Sequence, residues 1–189
     1  MTLTKNIFRE KSLKKIKNLP KYNKLYRNKL IQRKLFSVLQ KLDIESILFY
    51  YPLDLEADIR AVMLKMAKKH TVYLPFMEGK SFKMVPFRLP LHRKKFGIME
   101  PGNTIRKIKH VDAVVVPIVA CDGNLQRIGF GKGMYDRFFS RLQKIPYTIF
   151  VQQVLCHTDK KICDPYDISC DIVITANATL YNKRKMQRI

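Results

Sequence analysis

Acidic residues are scarce in this chain. Its 189 residues carry 15 Asp and Glu against 37 Lys and Arg, giving a formal net charge of +22 and a pI near 10.0. Such an imbalance favours anionic partners: nucleotides, polyglutamates, nucleic acid or membrane surfaces. The excess runs from the first residues to Lys183, Arg184, Lys185 and Arg188, so it is not a basic tail. Cysteine occurs only at 121, 156, 163 and 170, with no C-x-x-C pair. Cys156-His157, Cys163 and Cys170 fit no standard zinc spacing. Cys121 and Cys170 lie in apolar surroundings and read as buried free thiols. With no signal peptide evident, the cytoplasm is the expected compartment. The main apolar run, Ala113 to Cys121, is too short to cross a bilayer, so no membrane partner is expected. Repeats, low-complexity linkers and heptads are missing. One domain over 1–189 is expected, acting as a monomer.

Glycine is also sparse, seven in all, yet three of them fall at 129, 131 and 133. They belong to the stretch Val111 to Leu142 around which the chain is organised. Ala113 to Val119 is an apolar, Val-rich run, the pattern of a strand buried on both faces. Asp122-Gly123-Asn124 is turn chemistry. Arg127-Ile128-Gly129-Phe130-Gly131-Lys132-Gly133 follows, then a helical segment from Met134 to Gln143. Alternating glycines let successive N–H groups converge on an anion, and the next helix adds its positive end. Lys132 and Arg127 supply full charges. Asp136, just inside the helix, is placed to hold a metal bound to the same phosphates. The loop has no G-K-[ST] ending and is not a complete G-x-G-x-x-G. By itself it is equally a tight turn with solvated charges.

The wider string is more specific. Pro117, Asp122 and Arg127-x-Gly129-x-Gly131-x-Gly133-x-Tyr135-Asp136-Arg137 resemble the signature of the 5-formyltetrahydrofolate cyclo-ligase family, also called 5,10-methenyltetrahydrofolate synthetases. That signature is a strand, a Pro, a "D..G.RLG.G.GYYDR" loop and a helix. Here Ile128 replaces Leu, Met134 replaces the first Tyr, and Cys121 stands where an aromatic is common. No charge or glycine is lost, and further matching pieces extend the resemblance along nearly the whole chain.

Residues 2–18 form an expected amphipathic basic helix ended by Asn18-Leu19-Pro20. Lys5 and Arg9 are four apart and share a face, fit either to grip a polyphosphate or to be solvated. The resemblance favours the first: family members begin with a K-x-x-x-R helix that contacts ATP. A second helix, 22–42, carries Ile31, Leu35, Val38, Leu39 and Leu42 as a buried stripe. Ser46–Tyr51 reads as a strand and Asp58–His70 as a helix. Glu56 lies between them, where open α/β sheets bind ligands. A helix-capping carboxylate is the plain alternative. The resemblance supplies a folate-binding Y-x-x-x-x-E, matched by Tyr51 and Glu56, although the usual E-V-D-T is here Glu56-Ala57-Asp58-Ile59.

Thr71–Pro75 is a third strand. After the turn at Met77 to Lys80, Phe82–Phe87 is its expected hairpin partner at an edge. A loop covers 89–96. Gly97-Ile98-Met99-Glu100-Pro101 resembles the family's "GI.EP" element, implied to shape the folate pocket. His92 and His110 read as surface residues. Tyr147–Val151 and Asp171–Thr175 are the remaining strands, the latter closing the fold before a polar tail, 176–189. The segment Asp164 to Thr175 is similar to the family's "P...HD..VD.IIT". Tyr166 replaces the His, and Asp167 is retained. The resemblance makes Asp167 the second magnesium aspartate; an Asx-turn is its plain alternative. Two carboxylates plus phosphate oxygens suit Mg²⁺.

This alternation predicts an α/β three-layer sandwich, Rossmann-like, with a mainly parallel mixed sheet and helices on both faces. The resemblance implies a ligase that converts 5-formyltetrahydrofolate and ATP to 5,10-methenyltetrahydrofolate, ADP and phosphate. It implies phosphate contacts from Lys5, Arg9, Arg127 and Lys132, and backbone donors from Gly129, Gly131 and Gly133. Mg²⁺ would be held by Asp136 and Asp167, and folate by Tyr51 and Glu56. Tyr135 would line the reacting centre, with Lys132 and Arg127 beside it. The alternative is a non-catalytic nucleic-acid-binding protein, motivated by charge. Against it, the basic residues are dispersed along the sequence and no nucleic-acid motif is present. Arg127, Lys132, Asp136 and Glu56 are also all in place.

Overall fold

The computed structural model describes residues 2–94, 97–105 and 108–185. Lys95 and Phe96 of the expected loop, and the tail from 186 with Arg188, lie outside the described residues.

Thr4 caps α1 (Lys5–Lys17), its Oγ1 accepting from the Ile7 N–H at 3.3 Å. Lys14, Lys15 and Lys17 sit in the last turn, where cations oppose the helix dipole. A short 3₁₀ turn, Lys21–Asn23, leads into α2 (Lys24–Leu39). Then come β1 (Ser46–Leu48), α3 (Arg60–Met66), β2 (Thr71–Glu78), β3 (Ser81–Pro86), β4 (His92–Arg93) and β5 (Met99–Glu100). The central stretch supplies β6 (Ala113–Pro117), β7 (Ala120–Cys121), β8 (Arg127–Ile128) and α4 (Met134–Phe139). β9 (Tyr147–Val151), β10 (Ile172–Ile174) and β11 (Thr179–Tyr181) complete the order.

Seven strands form one sheet in the order β11-β10-β9-β6-β1-β2-β3. Its inner pairs are parallel, and the two outermost, β2–β3 and β10–β11, are antiparallel. Side-chain alternation sorts the core into two layers. Ile47, Ala113, Val115, Ile149, Val151, Ile172 and Ile174 face α2 and α3. Leu48, Val114, Val116, Phe150 and Val173 face the opposite side, where Phe138 and Phe139 of α4 cover them. Phe82 of β3 stacks on Phe138 with centroids 4.5 Å apart. Ile16 of α1 joins a smaller cluster with Val119, Ala120, Ile128 and Cys156. The expected mainly parallel mixed sheet, with helices on both faces and a hairpin at its edge, is present.

Several boundaries differ from the sequence expectation. α3 starts at Arg60 because the Asp58 carboxylate takes the Arg60 N–H at 3.0 Å. α4 stops at Phe139 rather than Gln143; the Ser140 hydroxyl donates to Arg137 O at 3.0 Å, a local bond that competes with the helix. Asp171–Thr175 is not the last strand. Thr179–Tyr181 pairs antiparallel with β10, and Asn182 is buried, its amide donating to Cys170 O at 2.8 Å. The loop after residue 89 contains the small β4–β5 ladder, which pairs His92 with Glu100. Cys121 and Cys170 are buried free thiols, as expected. Among the described residues, no helix is long and apolar enough to cross a membrane.

Candidate active site

β1 sits between β2 and β6. Its chain continues to β2 on one side, while β6 continues to β9 on the other. Loops leaving the carboxyl ends of β1 and β6 therefore diverge, which opens a crevice at the switch point. The first loop carries Tyr51 and Glu56. The second carries Arg127 and the glycines.

Arg127 is the centre of this crevice. It is buried, and its Nε and Nη2 donate to Pro117 O at 3.2 and 3.0 Å. Its guanidinium carbon lies 4.7 Å from the centroid of the Tyr135 ring. Burial pushes its pKa down, while Asp136, Tyr135, Glu56 and Asp167 all pull it back up. Those four groups thus act electrostatically on one buried cation. Gly129 makes room for it: a Cβ there would stand 2.3 Å from Arg127 Nη1. Gly131 and Gly133 take positive φ, 90° and 60°, where other residues are strained. Among the described residues, no protein group accepts from the N–H groups of 130–133. Lys132 is exposed, and its carbonyl accepts from Arg137 Nη2. Because α4 is only six residues long, the cradle rests on these loop N–H groups and nearby charges more than on a helix end.

α1 docks beside this loop. Arg9 Nε donates to Gly129 O at 2.9 Å. Lys5 Nζ donates to Asp164 Oδ2 at 3.0 Å and to Asp167 Oδ2. Burial works against the charged Lys5, but its bonds to Asp167 and Asp164 outweigh it and raise the pKa. Asp167 Oδ2 also accepts from the Asp164 N–H at 2.7 Å, a bond three residues back along the chain and not an Asx-turn. Asp136 Oδ1 is buried without a hydrogen-bond partner. An orphaned carboxylate oxygen beside a free anion cradle fits a cation shared with phosphate oxygens. Among the described residues no group of three or more His, Cys, Asp or Glu is placed to hold a metal ion.

Glu56 does not cap α3. Its Oε2 accepts from the Leu53 N–H at 2.8 Å, within its own loop. Burial raises its pKa to about 7; the Leu53 bond and the Arg127 cation act in the other direction. Tyr135 has a raised pKa from burial, with the Glu56 carboxylate adding to it and Arg127 opposing. Its ring meets Phe82 edge-on, centroids 5.0 Å apart. Tyr51 packs against the α2–α3 core. The "GI.EP" segment acts through Glu100, whose Oε1 accepts from the Met77 N–H at 3.3 Å.

The sequence reading missed the anchors of these loops. Gln153 Nε2 donates to Asn28 Oδ1 at 3.0 Å and to Glu56 O at 3.1 Å. Asn28 Oδ1 also accepts from the Asp58 N–H at 3.1 Å. One buried amide pair thus ties α2 and the end of β9 to the Glu56 loop. The available signal was Asn28 itself, a polar residue in register with the inward stripe of Ile31 and Leu35. Asp122 is a second anchor. Oδ1 accepts from Asn124 and Gln126 N–H, and Oδ2 from Ile162 and Cys163 N–H, at 2.9 to 3.1 Å.

Free N–H groups, cations and a carboxylate at a switch point define a phosphate-handling α/β protein. The model of the 5-formyltetrahydrofolate cyclo-ligase family matches residues 2–176, and the chain belongs to that family of folate-metabolising enzymes. An Aquifex aeolicus 5,10-methenyltetrahydrofolate synthetase is 28% identical, with a TM-score of 0.77 over 96% of this chain and 94% of its own. The Mycoplasma pneumoniae 5-formyltetrahydrofolate cyclo-ligase is 25% identical over 176 residues, covering 91% of this chain and 98% of that protein. A probable cyclo-ligase of Schizosaccharomyces pombe is 43% identical over 53 residues, 26% of each chain, so this match spans about a quarter of that relative.

Proposed function

We propose that the protein joins N10 to the formyl carbon of 5-formyltetrahydrofolate at the expense of ATP, giving 5,10-methenyltetrahydrofolate, ADP and phosphate. The observation carrying this reading is the crevice itself. Among the described residues the N–H groups of 130–133, just after Arg127 in the chain, have no protein acceptor, and the Glu56 carboxylate is within electrostatic reach of the same guanidinium.

The formyl oxygen is a poor leaving group. Transfer of the γ-phosphate to it makes phosphate the leaving group, and N10 then attacks the activated carbon. This chemistry needs charge neutralisation and alignment rather than a protein nucleophile. Lys132 and the 129–133 loop receive the phosphates. Lys5 and Arg9 bring α1 over the same loop and add positive potential. Arg127 holds its charge between the nucleotide and folate halves. Glu56 accepts N–H bonds from the pterin, Tyr51 flanks it, and Tyr135 lines the reacting centre. Asp136 and Asp167 would hold Mg²⁺, which when bound neutralises charge on the phosphates.

One absorbance assay tests the reading. Methenyl-folate absorbs in the near ultraviolet and formyl-folate does not. Signal should grow only with ATP, Mg²⁺ and 5-formyltetrahydrofolate together; a flat trace with folded protein would overturn the assignment.

A further inference from the structure

We propose that a groove between α2 and the β9–β10–β11 side of the sheet binds single-stranded nucleic acid. Its basic residues come from one local stretch of the chain, Arg33 to Lys41. Between residues 11 and 42 the chain has no Asp or Glu. The groove holds about 660 Å³ and is lined by Arg33, Lys34 and Lys41 together with Tyr147 and Tyr181. Tyr147, the first residue of β9, is partly buried against the α2-side core, and Tyr181, the last of β11, is exposed. A second groove of about 350 Å³ shares Arg33 and adds Lys29, Phe36 and Lys65 on the other side of α2. Neither lining contains a carboxylate.

The details favour one occupant. Arg33, Ser37 and Lys41 recur every four residues along one line of the α2 segment. The side chains of Arg33 and Lys41 make no hydrogen bond or ion pair to another described residue. Lys34 is fixed by Thr175 O and Ala176 O at 3.0 and 2.9 Å, and Lys65 lies 3.8 Å from the Phe36 centroid. Tyr181 is 52% exposed. Cations in a row beside an exposed aromatic ring, that of Tyr181, are the chemistry of single-strand binding: phosphates on the cations, a base on the ring. A duplex offers phosphates but hides its base faces from the tyrosines. A bilayer needs protruding apolar groups, whereas Leu30, Val38 and Leu42 form part of a recessed lining. A second copy of this chain would set +22 against +22. None of the residues lining the groove belongs to the crevice around Arg127 and Glu56, so occupancy is compatible with turnover.

Fluorescence anisotropy with a labelled oligouridylate of about twelve nucleotides tests this. Arg33→Glu/Lys41→Glu should weaken binding at least tenfold and flatten the log–log salt slope by about 1.4, roughly 0.7 for each lost phosphate contact. Tyr181→Ala should weaken it about fivefold or more without changing that slope. Turnover of 5-formyltetrahydrofolate should be unchanged in both. Lys11→Glu/Lys14→Glu, an equal charge change on α1, is the control and should cost much less. Unchanged affinity in the groove variants would overturn the proposal. So would an equal loss in the control, equal affinity for a duplex of that length, or binding to phosphatidylserine vesicles but not to the oligonucleotide. Because the oligonucleotide is read directly, failure here is distinct from failure of the absorbance assay.

Discussion

Glu56→Gln separates a folate-binding carboxylate from a structural one. With its pKa raised to about 7, Glu56 is roughly half ionised at neutral pH. The proposed bonds to pterin N–H groups need the ionised form. Its ionised fraction falls from about 0.9 at pH 8 to about 0.1 at pH 6, so kcat/KM for the folate should fall nearly tenfold over that interval. The ATP γ-phosphate can titrate nearby, so the informative quantity is the difference between wild type and variant. In the variant, the carboxamide has two choices. Its oxygen can keep the Leu53 N–H, turning the NH₂ toward the pterin donors. Alternatively its NH₂ faces Leu53, and the loop loses its bond. In the first, a charge-assisted bond is replaced by donor against donor, a loss of about 1.5–3 kcal/mol, or roughly ten- to a hundredfold in KM. Stability provides the second readout. A folded-state pKa raised from 4.5 to about 7 means that the folded protein holds this proton more tightly. Wild-type stability from this group should fall as pH rises from about 4.5 to 7, and the Gln variant should lack that slope. Steady-state rates and thermal melts between pH 5.5 and 8.5 measure both. A variant whose folate KM is unchanged, with the wild-type pH profile intact, would refute the reasoning.

Three further outcomes follow from the same geometry. Lys132→Ala should weaken ATP use by about 1.5–3 kcal/mol while folate affinity and melting temperature hold, as titration calorimetry with each substrate can show, because the side chain is exposed. Gly129→Ala should reduce both activity and melting temperature, since its Cβ would lie 2.3 Å from Arg127 Nη1 and the guanidinium must leave Pro117 O; an active, equally stable variant would mean Arg127 has another resting place. Asp136→Asn should raise the Mg²⁺ concentration needed for half-maximal rate without disturbing α1; Asp167→Asn is less clean because it also frees Lys5.

How far the fold could be read followed from how local each signal was. β6 and β9 announced themselves because every residue of β6 and all but the first of β9 are buried, which demands unbroken apolar runs. β11 did not: Thr179–Tyr181 is partly exposed and defined by pairing with β10, a contact no local pattern encodes. Lys5 and Arg9 could be placed on one face of a helix from spacing. Lys5's partners could not, being 159 and 162 residues away. Glu56 was located correctly between strand and helix, but Asp58, two residues on, supplies the bond to the helix start. The glycine loop was the most legible part because positive φ at Gly131 and Gly133 leaves a direct mark on sequence.

Arg127 shows why residue type alone misjudges a role. In sequence it stands beside Lys132 as a second phosphate ligand. In the fold its Nε and Nη2 are already committed to Pro117 O, and Nη1 lies against Gly129. Little of its fork is left for direct contact, whereas Lys132 is exposed and carries no such commitment. The proposed mechanism therefore divides the labour. Lys132 meets the phosphates, while Arg127 acts through its field, which is strong because the guanidinium is buried. That field opposes the burial that keeps Glu56 protonated, and it is answered in turn by Asp136 and Asp167. In that mechanism a nucleotide at the loop would add negative charge near this cation and weaken its pull on Glu56, which would couple nucleotide binding to the protonation of the proposed folate carboxylate.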